Sequence, residues 1–140
     1  MPDRNLVIRV VHEWVEKAEQ DLEAASHLLE LGEKGPTDVI CFHAQQCVEK
    51  YLKALLVFEN LPVPKTHDIE RLLNLVPNPD RIPLTPEQMR ILTGYATETR
   101  YPGYDRIPFS EAKDTVELSC SIRKEVRTML PTAGLTRSEE

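Results

Sequence analysis

Aromatic residues are scarce in this chain, at 6% of its 140 residues, and glycines number only 5. Sheets draw on aromatic and β-branched residues, whereas the abundance here of Leu, Ala, Val, Glu and Lys favours helices. No apolar run approaches ~20 residues, which excludes a helix that spans a membrane. The chain also lacks an excess of basic residues, with a net charge of −6 and a pI near 5.3. That argues against a protein that coats nucleic acid through a basic surface, while permitting a small pocket for one nucleotide or one RNA loop. Cysteines number 3, an odd count without regular spacing, which suits a reducing cytoplasm better than a disulfide framework. Met1-Pro2-Asp3-Arg4-Asn5-Leu6 has none of the layout of a secretory signal. The composition, 41% hydrophobic and 29% charged, therefore predicts a cytoplasmic globular domain large enough for one core.

What is present is helical periodicity. Val11, Val15, Ala18, Leu22, Ala25 and Leu29 step by four and three, a stripe that strand alternation cannot produce. The spacing predicts a first helix over roughly residues 8–31, ended at Gly32 and Gly35-Pro36. A second helix starts with Thr37 or Asp38 as N-cap and runs to about Glu59. Ile40, Ala44, Cys47, Tyr51, Ala54 and Phe58 share one face, and Val48, Leu52, Leu55 and Leu56 widen it. This should be the central helix, and an apolar surface so broad exceeds what one bundle core needs.

Thr66 is read as the cap of a short third helix carried by Ile69, Leu72, Leu73 and Val76. Thr85-Pro86-Glu87-Gln88 has the pattern of a capping box with Pro at the first helical position, opening a fourth helix to about Arg100. Ser110 opens the fifth, whose stripe is Val116, Ser119, Ile122, Val126 and Met129. The expected fold is all-α, an antiparallel up-and-down bundle of four to five helices. Residues 1–131 form the domain, and 132–140 read as a polar, frayed tail.

Several residues could carry chemistry. Arg100 suits bidentate phosphate binding, and Tyr101 or Tyr104 beside it could stack on a base, with Asp105 following in the same loop. A structural reading competes, with Arg100 capping a helix C-terminus and Tyr101 packed in the core. Lys50 and Lys53, three apart on the second helix, could both reach a phosphate, although ion pairing with a neighbouring helix is the simpler reading. His67 beside Asp68 reads as capping and packing of a turn rather than as an anion site. His43 and Cys47 are four apart, but two ligands do not make a metal site, and none is expected.

Asp21-Leu22 with Ala24-Ala25, the run from Gln45-Gln46 through Glu49-Lys50 to Lys53-Ala54-Leu55-Leu56, Thr66-His67-Asp68, and Arg100-Tyr101-Pro102 together resemble a HEPN domain. The name denotes a higher eukaryote and prokaryote nucleotide-binding domain, and the resemblance covers roughly residues 10–130. It implies an all-α bundle, usually dimeric. Active members are metal-independent ribonucleases in which an Arg is followed, after four to six intervening residues, by a His. Other members lack that His and bind nucleotides or partner small nucleotidyltransferases, many of them in toxin–antitoxin pairs.

Here Arg100 stands at the family's Arg position, but the positions where the His could fall hold Asp105, Arg106 and Ile107. The resemblance thus implies a non-catalytic nucleotide-binding or partner module. Its expected associations are a homodimer and a minimal nucleotidyltransferase in a toxin–antitoxin-like pair, with no cofactor. The alternative is a ribonuclease with an atypical site, in which Asp105 or a Tyr replaces the missing His. The expected nucleotide or RNA phosphate site comprises Arg100, Tyr101, Tyr104, Asp105, Lys50 and Lys53.

Overall fold

A computed structural model describes residues 3–135. Among them the helices are α1 (Arg4–Leu29), α2 (Thr37–Phe58), α3 (Ile69–Leu75), α4 (Pro86–Thr97) and α5 (Phe109–Met129), with no strand. The side-chain partners define their directions. Asp21 meets His43, Glu19 meets Tyr51 and Lys53 lies over Trp14, so α1 and α2 run antiparallel. Ser119 reaches the Ala44 carbonyl and Arg127 reaches Tyr51, so α5 runs parallel to α2. Tyr95, near the end of α4, meets Glu111 and Thr115 in the first turns of α5, and the two helices share a groove, as antiparallel neighbours do. This is the up-and-down bundle expected from the sequence.

The central helix is α2, which touches α1, α3, α4 and α5. From Ile40 to Leu56 nearly every residue is buried or half-buried. Tyr51, Ile40, Leu52, Leu55 and Leu56 are among the largest fully buried side chains. One chain alone therefore covers α2 on all sides. Its broad apolar surface is accounted for within the bundle and gives no separate argument for a dimer.

Element boundaries differ from expectation where caps act outside the apolar stripe. Helix α1 begins at Arg4 because Asp3 accepts a hydrogen bond from the Asn5 backbone N–H, and it ends at Leu29. The first turn escapes a pattern search because Leu6 is exposed. Helix α3 is capped by Asp68, which accepts from the Arg71 N–H, whereas Thr66 accepts from the N–H of Asp68 one step earlier. The Thr85–Gln88 capping box forms with both reciprocal hydrogen bonds, and α4 stops at Thr97, short of Arg100. Helix α5 starts at Phe109 after Pro108, with no side-chain cap.

The segment read as a frayed tail begins instead with a docked 3-10 turn, Thr132–Gly134, packed on α1. Gly134 lies so close to α1 that an added Cβ would stand 2.8 Å from Val11 Cγ1. The remainder of that tail lies outside the described residues.

Candidate functional site

The polar residues threaded through α2 fall into two groups that meet different neighbours. Glu49 is 3% exposed, and its carboxylate accepts from Gln45, Gln46, Lys53 and His67 at 2.7–3.2 Å. Gln45 also donates to the His67 backbone carbonyl. This network ties the chain before α3 to the middle of α2, so His67 fastens a turn, as its simpler reading held. A buried ion pair that loses one partner costs about 3–5 kcal/mol, so the Glu49–Lys53 pair is a structural commitment.

The second group faces α1. Asp21 accepts from Lys50 Nζ through Oδ2 at 2.5 Å and pairs with His43 Nδ1 through Oδ1 at 2.8 Å. Lys50 and Lys53 thus serve two separate carboxylates. Lys53 is 7% exposed and also lies over the Trp14 ring, 5.6 Å from its centroid. The structure does not bring either ammonium to Arg100, Tyr101, Tyr104 and Asp105.

Those four residues do come together. After α4 the chain turns through Arg100-Tyr101-Pro102-Gly103, and Gly103 takes a φ of +105° that side chains rarely adopt. Tyr101 and Tyr104 are 65% and 55% exposed, so neither packs in the core. With Thr37, Asp38 and Arg100 they line a cleft of about 390 Å³. Tyr104 donates to Glu98 Oε2 at 3.0 Å, and this hydrogen bond raises the phenol above its ordinary pKa. Arg106 donates to the carbonyls of Glu33 and Gly35, which fastens the loop to the α1–α2 connection.

Arg100 itself is held from two sides. Its guanidinium carbon lies 4.6 Å from the Phe42 ring centroid, and Nη1 donates to the Ala96 carbonyl at 3.5 Å. The helix-capping contact therefore exists, but it occupies one of five N–H groups. A second cleft, of about 300 Å³, is lined by Asp38, Val39, Phe42, His43 and Arg100. Sequence reasoning missed His43 here. Its only local signal was the spacing to Cys47, which points to a metal, while its partner Asp21 is 22 residues away.

Elsewhere, a cleft of about 320 Å³ lies between α1 and α5 around Glu19, Arg123 and Arg127. Arg123 donates to both Glu19 oxygens, at 2.6 and 2.7 Å, and Tyr51 donates to Oε2. Burial raises the Glu19 carboxyl, but the hydrogen bonds from Arg123 and Tyr51, with the charges of Arg123 and Arg127, more than offset it and hold it below its ordinary value. These groups satisfy one another.

A five-helix bundle with a central, polar-threaded α2 and an Arg-Tyr loop after α4 defines the class. The HEPN domain family model matches residues 11–130, so the chain belongs to the HEPN domain family. Its fold is similar to the crystal structure of TT1696 from Thermus thermophilus, at 25% identity and a TM-score of 0.70, covering 87% of this chain and 99% of that one. It is likewise similar to ST0689, an archaeal HEPN homologue, at 27% identity and a TM-score of 0.67, covering 85% and 96%. No curated protein matches the chain. None of the helices in the described residues is long and apolar enough to cross a membrane.

Proposed function

We propose that the chain is a non-catalytic HEPN-type module that binds a nucleotide or an RNA phosphate at Arg100. The observation that carries this reading is Arg100's place on the walls of two clefts, with Tyr101 and Tyr104 exposed at the rim of one. A guanidinium that keeps most of its N–H groups free among the described residues suits a phosphate, and an exposed phenol ring suits a base. No His follows Arg100 after four to six intervening residues, which separates the chain from the ribonuclease members its sequence resembles. Lys50 and Lys53 are left out of this site because Asp21 and Glu49 already hold them.

Family resemblance extends the proposal to a cytoplasmic homodimer that works with a minimal nucleotidyltransferase in a toxin–antitoxin-like pair. Tyr104, whose hydroxyl is already paired with a carboxylate, is the phenol on which such a partner would place a nucleotide. Calorimetric titration of nucleotides into wild type and Arg100→Ala tests the binding site. A charged hydrogen-bonding Arg contributes about 1.5–3 kcal/mol, so the variant should bind roughly ten- to hundredfold more weakly. Equal binding, or none in either protein, rejects the site.

A further inference from the structure

The cleft that Arg100 shares with His43 contains more than a guanidinium. The imidazole is oriented from behind: Nδ1 stands 2.8 Å from Asp21 Oδ1, and Asp21 is itself held by Lys50 at its other oxygen. A carboxylate can only accept, so Nδ1 carries the proton, and Nε2 is the atom left to act. Nε2 has no hydrogen-bond partner among the described residues, although the imidazole is half-buried and lies edge-on to Phe42. The same Phe42 ring supports the guanidinium of Arg100. One aromatic side chain thus sits between two nitrogen groups on the wall of a single cleft of about 300 Å³.

We propose that His43, held by Asp21, is a second phosphate-contacting group of this cleft, which thereby takes a terminal phosphate monoester. The proposal rests on the reading of the Arg100 cleft as a phosphate site and adds a residue and a ligand class to it. The charges around the imidazole come from every element packed on it: Asp21 from α1, Asp38 and Lys50 from α2, and Arg100 from the loop after α4. With His43 neutral, two positive groups meet two negative ones. With His43 protonated, the set gains one positive charge, and Nε2 becomes a donor. A dianionic phosphate favours the protonated form, so binding draws a proton onto the imidazole. A phosphodiester, with a single negative charge, favours it less.

The test uses the full chain with 5′-AMP as probe and adenosine as the uncharged control. Calorimetry in buffers of different ionisation enthalpy reads proton exchange. Because the phosphate's own second pKa is about 6, the difference between wild type and His43→Gln is what assigns the uptake to His43. Wild type should take up protons on binding AMP and should bind adenosine far more weakly. His43→Gln should bind AMP about tenfold more weakly, with less proton uptake. Histidine NMR of wild type provides a readout independent of any variant's folding, because the His43 Nε2 resonance must move when AMP is added. If AMP binding depends on Arg100 while His43→Gln binds and takes up protons like wild type, or while the resonance stays still, His43 has no such role and the Arg100 site stands alone. Equal affinity for adenosine and AMP overturns the ligand class. Absence of AMP binding to wild type overturns both this inference and the site on which it rests.

Discussion

Arg100 lies over the ring of Phe42, which fixes a residue of an irregular loop against the N-terminal half of the central helix. A cation over an aromatic face is worth about 0.5–1 kcal/mol at an exposed site. The contact leaves the chain's stability nearly unchanged if it is lost, yet it holds the guanidinium in one place for a ligand. Phe42→Leu keeps an apolar side chain and removes the ring. We expect nucleotide affinity to fall roughly two- to fivefold with little change in the urea midpoint, as read by paired calorimetric and unfolding experiments.

Glu19 sets an acid limit on stability. Its carboxyl is held below the ordinary value of 4.5 in the folded chain, so the unfolded chain binds more protons in that range. The stabilisation is complete above the unfolded value and is lost as pH falls below it through the lower folded value. Thermal unfolding followed from neutral pH down through this window should show a decline in wild type. Glu19→Gln, which cannot ionise, should be less stable at neutral pH and decline less. Parallel curves for the two proteins would show that Glu19 contributes nothing to the acid limit.

Much of this bundle is readable from local pattern. Val11, Val15, Ala18 and Ala25 are buried as their spacing requires, and Thr85 with Gln88 closes its capping box. Both signals arise within one or two helical turns. The position of Arg100 was equally legible, but its support was not, because Phe42 lies far back in the sequence on another helix. The same reason hid His43, whose partner Asp21 is on α1. For Lys50 and Lys53 the simpler reading, ion pairing, is what the structure shows. Lys53 pairs with Glu49 one turn back on the same helix, while Lys50 pairs with Asp21 across on α1, a partner that helical spacing could not name.

The three cysteines should differ sharply in reactivity. Burial, the largest cause, pushes the thiols of Cys41 and Cys47 up to about 12, so almost no thiolate forms there at neutral pH. Cys120 is exposed on α5, although partial burial of its thiol raises it as well. An aromatic disulfide reagent should therefore modify one thiol per chain in the native protein, and all three after unfolding. Fast modification of a second thiol would show that the core around α2 opens readily.

Gly134 is the point where the C-terminal turn meets α1. An added methyl would stand 2.8 Å from Val11 Cγ1, and Val11 is fully buried and unable to withdraw. Overpacking of this kind costs about 1–3 kcal/mol. Gly134→Ala should lower stability by that amount in urea unfolding. Val11→Ala in the same chain should recover part of the loss, because it removes the opposing methyl. Two independent, additive losses would mean that the turn has moved away and that the contact does not hold it.

Purified chain should not cleave RNA above background. Cleavage at a ribose 2′-hydroxyl needs a proton acceptor placed beside a held phosphate, and Arg100 supplies only the second part. Of the three positions where the ribonuclease members carry histidine, Asp105 is exposed in the cleft rim, Arg106 is engaged by the Glu33 and Gly35 carbonyls, and Ile107 is buried. The imidazole on this cleft, His43, reaches it from α2, held at Nδ1 by Asp21, and in the binding reading it contacts the phosphate rather than a ribose hydroxyl. A fluorescent oligoribonucleotide incubated with wild type, Arg100→Ala and His43→Gln decides the matter. Uniform background in all three agrees with a binding module. Cleavage by wild type that vanishes in Arg100→Ala would make the chain an enzyme, and its loss in His43→Gln as well would identify the imidazole that performs it.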